Sequence, residues 1–356
     1  VAALKIDRAR AGVVRVPLVR PYALSFVTLE SFAVRLVEIT TDAGVGLGEA
    51  VALPGYGEET DDDVAASLAR VVPRLAGVDC DEALEVAARE LVDAPFARAA
   101  VMSAIEDASS SISGAAIEWP QVGILSAGDP AACVRRAREI AAEGFGTIKV
   151  KIGREVESDI ASARALLEAV PGVLFRFDAN QAYTEAQAAR FMASIEGHAG
   201  VELVEQPLGI DEWEASRRLA ASSSVPLMLD EAIFDGRDID RAAEVGAALI
   251  KLKLCKVRGR ADLLALARRA RAHGLGVVLG NGVAGDVGNA QEALAWAAEP
   301  GLWAGAGEAN GFAKLKSPVL ADPPALRGGA LFWTPGRMRA SAEVEWVAGS
   351  GGVGPR

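Results

Sequence analysis

From residue 119 onward, short apolar runs alternate with stretches whose apolar positions recur every three or four residues. The runs are QVGILSAG, TIKVKI, VLFRFDA, VELVEQ, PLMLDE, ALIKLKL and GVVLGNG, with a weaker one in GLWAGAGE. Between them lie DPAACVRRAREIAAEGF, VESDIASARALLEAV, TEAQAARFMASIEG, DEWEASRRLAASSS, DIDRAAEVGA, RADLLALARRARAHG and QEALAWAA. The period of 3.6 predicts amphipathic helices, and the near-continuous apolar runs predict strands buried on both faces, as in a parallel sheet. About eight such strands joined by helices describe an α/β barrel. An open doubly wound sheet would carry a glycine-rich phosphate turn after its first strand, and no GxGxxG stands there.

The first part of the chain follows another grammar. KIDRARAGVVRVPL and SFAVRLVEITT read as strands, and Asp42-Ala43-Gly44 as the turn before GVGLGEA. Arg20–Glu30 has no clear period, and Pro54-Gly55-Tyr56-Gly57 is a loop. From Thr60, a predicted N-cap followed by three acids, TDDDVAASLARVVPRLAG, CDEALEVAARELVD and PFARAAVMSAIEDASSSI read as helices. The expected organisation is an α+β unit over 1–118, a barrel over 119–321, and a segment over 322–356 that returns to the first unit through aromatics and the strand-like EVEWVA.

The chain has 356 residues, 51% of them hydrophobic, enough for a large packed core. Its net charge of −11, with no basic run interleaved with aromatics, argues against nucleic acid and anionic membrane as partners. No apolar stretch approaches the roughly 20 residues that span a bilayer, and the opening VAALKIDRAR does not read as a secretory leader. Cys80, Cys133 and Cys255 are far apart and odd in number, which suits a reducing cytoplasm better than a disulfide framework or a zinc site.

The chemistry sits where the strands end. Lys151, Asp178, Glu205, Asp230 and Lys253 each close an apolar run, with successive gaps of 27, 27, 25 and 23 residues. In a barrel, strand C-terminal ends converge on one mouth. Three carboxylates on successive strands supply hard oxygens of the kind that hold Mg²⁺ or Mn²⁺, and the flanking lysines are acid/base candidates. Lys149 and Lys151, two apart, share an inward face, where mutual repulsion is expected to lower a lysine pKa. Lys253 is the mirror candidate, although Lys251 shares its face and Lys256 follows; spacing does not choose among them. The two histidines, His198 and His273, lie near helix C-termini and away from every strand end. Cys255 reads as a small buried residue rather than a nucleophile.

At these residues the chain resembles the enolase superfamily, in its muconate-lactonizing/dipeptide-epimerase branch. The likeness runs from Gly48-Glu49-Ala50 through KVK, DAN, EQP, DE and IKLKLCK. It implies a modified TIM barrel, (β/α)7β, with an α+β N-terminal capping domain completed by the C-terminal segment. It further implies Mg²⁺ held by Asp178, Glu205 and Asp230, with Asn180 in support. Lys151 and Lys253 would stand on opposite faces of a small carboxylate substrate, with Lys149 tuning Lys151. The implied chemistry is removal of the proton α to a carboxylate, giving an enediolate. Returning the proton on the other face is racemisation or epimerisation; expelling a β leaving group is lyase or cycloisomerase chemistry. A homo-oligomer is expected. Specificity is expected from Tyr22 and Phe26, from Tyr56, and from Glu308 as the holder of a substrate cation. Two departures stand out: Ala284 in GNGVAGDVG, where many relatives carry an acid, and GEANGF, where dipeptide epimerases often carry Asp-x-Asp.

Overall fold

The computed structural model describes residues 4–23, 28–52, 59–110, 114–280 and 282–347. Phe26, Tyr56 and the side chain of Tyr22 lie outside them.

An antiparallel meander opens the chain: β1 (Ile6–Ala23), β2 (Thr28–Thr41) and β3 (Gly44–Ala50). Three helices cover one face, α1 (Asp61–Val71), α2 (Cys80–Glu90) and α3 (Pro95–Ser109). Thr60 caps α1 reciprocally with Asp63, satisfying two otherwise orphaned N–H groups. The alternating glycines of GVGLGEA have a packing reason. A Cβ on Gly46 would lie 2.2 Å from the Ala104 carbonyl oxygen, and one on Gly48 1.8 Å from that of Ala100. The small residues Ala100, Ala104 and Ala108, one turn apart, therefore bring the α3 backbone directly onto β3.

After β4 (Ile117–Pro120) the alternation begins. In chain order come β5 (Val122–Ser126), α4 (Pro130–Ala142), β6 (Thr147–Lys151), α5 (Val156–Ala169), β7 (Leu174–Asp178) and α6 (Glu185–Ile195). Then follow β8 (Val201–Glu205), α7 (Trp213–Ser222), β9 (Leu227–Leu229), α8 (Gly236–Glu244), β10 (Leu249–Lys253), α9 (Gly259–Ala272), β11 (Gly276–Gly280) and α10 (Asp286–Ala298). The strands β5 to β11 pair in sequence order, all parallel, which is the modified TIM barrel.

The eighth run, GLWAGAGE, does not form a regular strand. Gly305 turns to φ +65°, which breaks the extended ladder. Residues 304–308 nevertheless close the barrel. Ala304 and Glu308 donate N–H groups to Val277 and Leu279 of β11, while Gly307 exchanges bonds with Pro120 and Val122 at the β5 side. The helix over QEALAWAA starts earlier than its pattern suggests, at Asp286, because Asp286-Val287-Gly288-Asn289-Ala290 is also helical, with Gly285 as the extended N-cap.

A hairpin of β12 (Ala325–Arg327) and β13 (Ala330–Trp333) joins β4 through β13, with β12 on the outer edge. The strand-like EVEWVA contributes β14 (Glu345–Trp346), an antiparallel edge on β1.

Candidate active site

Parallel register sets the site. Lys151 lies beside Asp178, and Asp178 beside Glu205, at the last residues of β6, β7 and β8. Adjacent strands are about 4.8 Å apart, so these three side chains must meet. Asp230 follows β9 directly, and Lys253 ends β10 opposite Gly280.

The contacts are charged throughout. Lys151 Nζ donates to Asp178 Oδ2 at 2.6 Å and to Asn180 Oδ1 at 2.7 Å. Lys149 Nζ lies 2.8 Å from Asp178 Oδ2, 2.9 Å from Glu205 Oε1 and 3.1 Å from Glu308 Oε2. Lys253 Nζ lies 2.8 Å from Asp230 Oδ1. Asp178, Glu205, Asp230, Lys149 and Lys253 are buried, while the Lys151 side chain is 38% exposed at the mouth.

Burial works against the charge on Lys149, but Asp178, Glu205 and Glu308 outweigh it and hold its pKa well above the ordinary lysine range. The expectation that the KxK pair would lower each other is therefore reversed at Lys149: carboxylates, rather than Lys151, dominate its surroundings. Asp178 is held below the usual carboxylate range because Lys149 and Lys151 overcome the opposing effect of burial. Asp230 is lowered too, with Lys253 and Lys251 overcoming burial. Glu205 goes the other way, pushed up by burial and by the charge of Asp178.

Glu308 is placed differently from the sequence expectation. It is buried, and Lys251, Arg176 and Lys149 engage both its oxygens, Lys251 and Arg176 at 2.7 and 3.1 Å. The cations it holds here are the protein's own, two on Oε1 and Lys149 on Oε2. Arg176, wholly buried on β7, also reaches Glu202 at 3.1 Å.

Two contributors, Glu231 and Gln206, are not singled out by strand-end spacing. Glu231 accepts from Asn180 Nδ2 at 2.8 Å. Gln206 Oε1 takes the backbone N–H groups of Asp230 and Ala232 at 2.8 and 3.2 Å, tying the end of β8 to the loop after β9. Lys256 caps that loop through the carbonyls of Asp230 and Ile233, at 3.0 and 3.1 Å. Glu231 and Gln206 stand in the DE and EQP motifs, each next to the strand-end acid, whereas Lys256 is the lysine that follows the end of β10. Asn180, Gln181 and Gln206 have φ of 42°, 68° and 34°. Such strain persists where surrounding structure over-determines it, which is common at functional sites.

The histidines stay structural. His273 caps α9 and lies 3.0 Å from Asp240, and His198 Nδ1 accepts the Gly200 N–H at 3.2 Å. Cys80, Cys133 and Cys255 are free thiols, and burial pushes Cys255 up to about 11, unlike a nucleophile.

The donor set suits a hard divalent cation. Asp178, Glu205 and Asp230 are buried carboxylates at neighbouring strand ends, and Glu205 Oε2 and Glu231 Oε2 are buried without a hydrogen-bond partner among the described residues. Among the described residues no trio of His, Cys, Asp or Glu is gathered closely enough to hold an ion as it stands. Each of Asp178, Glu205 and Asp230 is also a partner of a lysine Nζ group.

Fold and mouth together define a barrel enzyme with carboxylates and lysines at its strand ends. Residues 8–118 match the family model for the mandelate racemase/muconate lactonizing enzyme N-terminal domain, and residues 132–336 that for the enolase C-terminal domain-like fold. The chain belongs to this family, within the enolase superfamily, and is an enzyme of its isomerase group. It is 30% identical to a chloromuconate cycloisomerase of Cupriavidus necator over 84% of this chain and 86% of that one. It is 29% identical to an aromatic dipeptide epimerase of Herpetosiphon aurantiacus, over 91% and 93%. Muconate lactonizing enzyme from Pseudomonas fluorescens, crystallised with muconolactone, superposes with a TM-score of 0.80 at 28% identity, covering 96% and 98%.

Proposed function

We propose that this protein removes the proton α to a carboxylate of a small substrate, with Lys151 and Lys253 as the acid/base pair, and returns it as a racemase or epimerase. The observation that supports this most is the placement of the two lysines. One bonds Asp178 and the other Asp230, with Glu205 on the strand between, so the ammoniums approach the acid cluster from two sides. Asp178, Glu205 and Asp230 would hold Mg²⁺, with Asn180 orienting Lys151 and Asp178 through its side chain and backbone N–H. When bound, the cation would supply Lewis-acid stabilisation of the negative charge that develops on the substrate carboxylate.

Each lysine can then hold or accept a proton on its own face. Lys149, kept charged by three carboxylates, offers a fixed positive charge beside Lys151. Cycloisomerisation or β-elimination uses the same first proton transfer, and the cycloisomerases among the relatives favour that second reading equally.

The two readings separate in D₂O. A racemase or epimerase incubated with candidate N-acyl amino acids, dipeptides and aromatic or sugar acids plus Mg²⁺ puts deuterium at the α-carbon of recovered material. A lyase or cycloisomerase yields an unsaturated or cyclised product. Lys151→Ala and Lys253→Ala are each expected to lower turnover by about 10²–10⁴-fold, the usual contribution of a positioned proton-transfer group. Turnover that survives chelation and both substitutions would sink the proposal.

A further inference from the structure

Lys251, in the middle of β10, is wholly buried and is not one of the strand-end residues. Its Nζ lies 2.5 Å from Glu205 Oε1 and 2.7 Å from Glu308 Oε1, and 3.8 Å from Asp230 Oδ2. Lys149 reaches the same two acids from the far side, at 2.9 Å to Glu205 Oε1 and 3.1 Å to Glu308 Oε2. Two ammoniums and two carboxylates thus close a ring beneath the mouth. The fold makes room for it: a Cβ on Gly280 of β11 would lie 2.5 Å from Lys251 Cδ and 2.7 Å from Cγ. Arg176 anchors Glu308 from β7 at 3.1 Å.

The ring treats the two oxygens of Glu205 unequally. Oε1 receives both ammoniums, while Oε2 is buried and has no hydrogen-bond partner among the described residues. A carboxylate clamped through one oxygen has its rotamer fixed, so its other oxygen is presented in one direction only. We infer that Lys251, balanced by Glu308, is a positioning residue: it clamps Glu205 Oε1 so that Oε2 is the oxygen offered to a divalent cation at the mouth. This rests on the metal role given to Glu205 above.

The inference can be separated from plain electrostatics because the two predict opposite signs. An ammonium beside a cation site repels the cation, so removing it should tighten binding. Removing a clamp should weaken it. Lys251→Met keeps the apolar stem against Gly280 and deletes the donor. Mg²⁺ affinity is read by titration calorimetry and Mn²⁺ affinity by electron paramagnetic resonance, both on the full chain without substrate. Circular dichroism and metal-free melting verify the fold.

The expected result is Kd raised at least tenfold for both ions, with one-site stoichiometry kept. An unchanged or lower Kd, even with a reduced Tm, overturns the inference and leaves Lys251 a purely structural charge. If Lys251→Met alone does not fold, Lys251→Met/Glu308→Gln removes both charges of the pair, and the same tenfold criterion applies. A wild-type chain that takes up neither ion overturns the metal role of Glu205 and this inference together; binding by wild type and variants alike overturns only the inference.

Discussion

Two groups of buried acids in this molecule meet opposite fates. At the barrel mouth, Asp178, Asp230 and Glu308 are drawn below the ordinary carboxylate range, because lysines and Arg176 outweigh the burial that pushes them up. Where β3 and α3 meet the barrel, the acids have backbone and amide partners instead. Gly285 at the start of α10 donates its N–H to Glu49, yet burial and the charge of Asp286 push Glu49 up to about 7. Glu292 of α10, bonded by Asn289 Nδ2 at 2.8 Å, is pushed to about 8 by burial and the neighbouring Glu49. Asp107 of α3 accepts the Leu47 N–H at 3.1 Å and rises to about 6, chiefly from burial. Equal burial therefore gives different charge states. A dipole does not repay the desolvation of a charge; full cations do so at Asp178, Asp230 and Glu308 but not at Glu205, which burial and the charge of Asp178 push up to about 8 despite Lys149 and Lys251.

The contrast is broken most strongly at Glu308. Glu308→Ala leaves Lys149, Lys251 and Arg176 short of a counter-charge, and removing one partner of a buried ion pair costs about 3–5 kcal/mol. Denaturant unfolding should register that loss; a change below about 1 kcal/mol would mean that Glu205 and Glu202 satisfy the cations alone.

Glu292 tests the other region, and the sign is opposite to that of an ordinary salt-bridged acid. Its folded-state pKa of about 8 lies above the unfolded value of 4.5, so the folded protein binds the extra proton between them. Its contribution is present at low pH and is lost as pH rises through the interval, at most about 1.4 kcal/mol for each unit of separation. Glu292→Gln, which mimics the protonated form, should flatten the decline of Tm between pH 5 and 8 and raise Tm at the alkaline end. An unaltered pH slope would place the titration elsewhere.

The smallest effect belongs to an exposed acid with a local partner. Thr60→Ala removes the α1 cap and its reciprocal bond with Asp63, for a loss of about 1 kcal/mol. It should leave both substrate turnover and the pH slope of stability as they were, and so serves as the control for the two buried groups.

Much of the fold was legible because it rests on period. The seven parallel strands, their helices and the Thr60 cap each follow from spacing that repeats locally. The eighth strand was not, because Gly305 at φ +65° breaks the ladder while the flanking backbone still bonds both neighbours. At the site, Lys151, Asp178 and Glu205 were readable as strand ends, and register alone makes them neighbours. Glu308 was visible as an acid near the last strand, but its partners are Lys149, Arg176 and Lys251, up to 159 residues away. No local pattern states that three interior cations will claim it.

The sequence by itself determined the layers of the fold, the family and the set of ionisable groups at the mouth. These depend on hydrophobic period and strand ends, which are properties of neighbouring residues. Only the tertiary structure decided which charges neutralise one another: that Lys149 is held charged rather than lowered, that Glu308 faces inward to protein cations, and that Glu49 and Glu292 lie near each other at a buried boundary where burial raises both. Pairing and burial across the barrel are sums over residues far apart in the chain, and charge state follows from those sums.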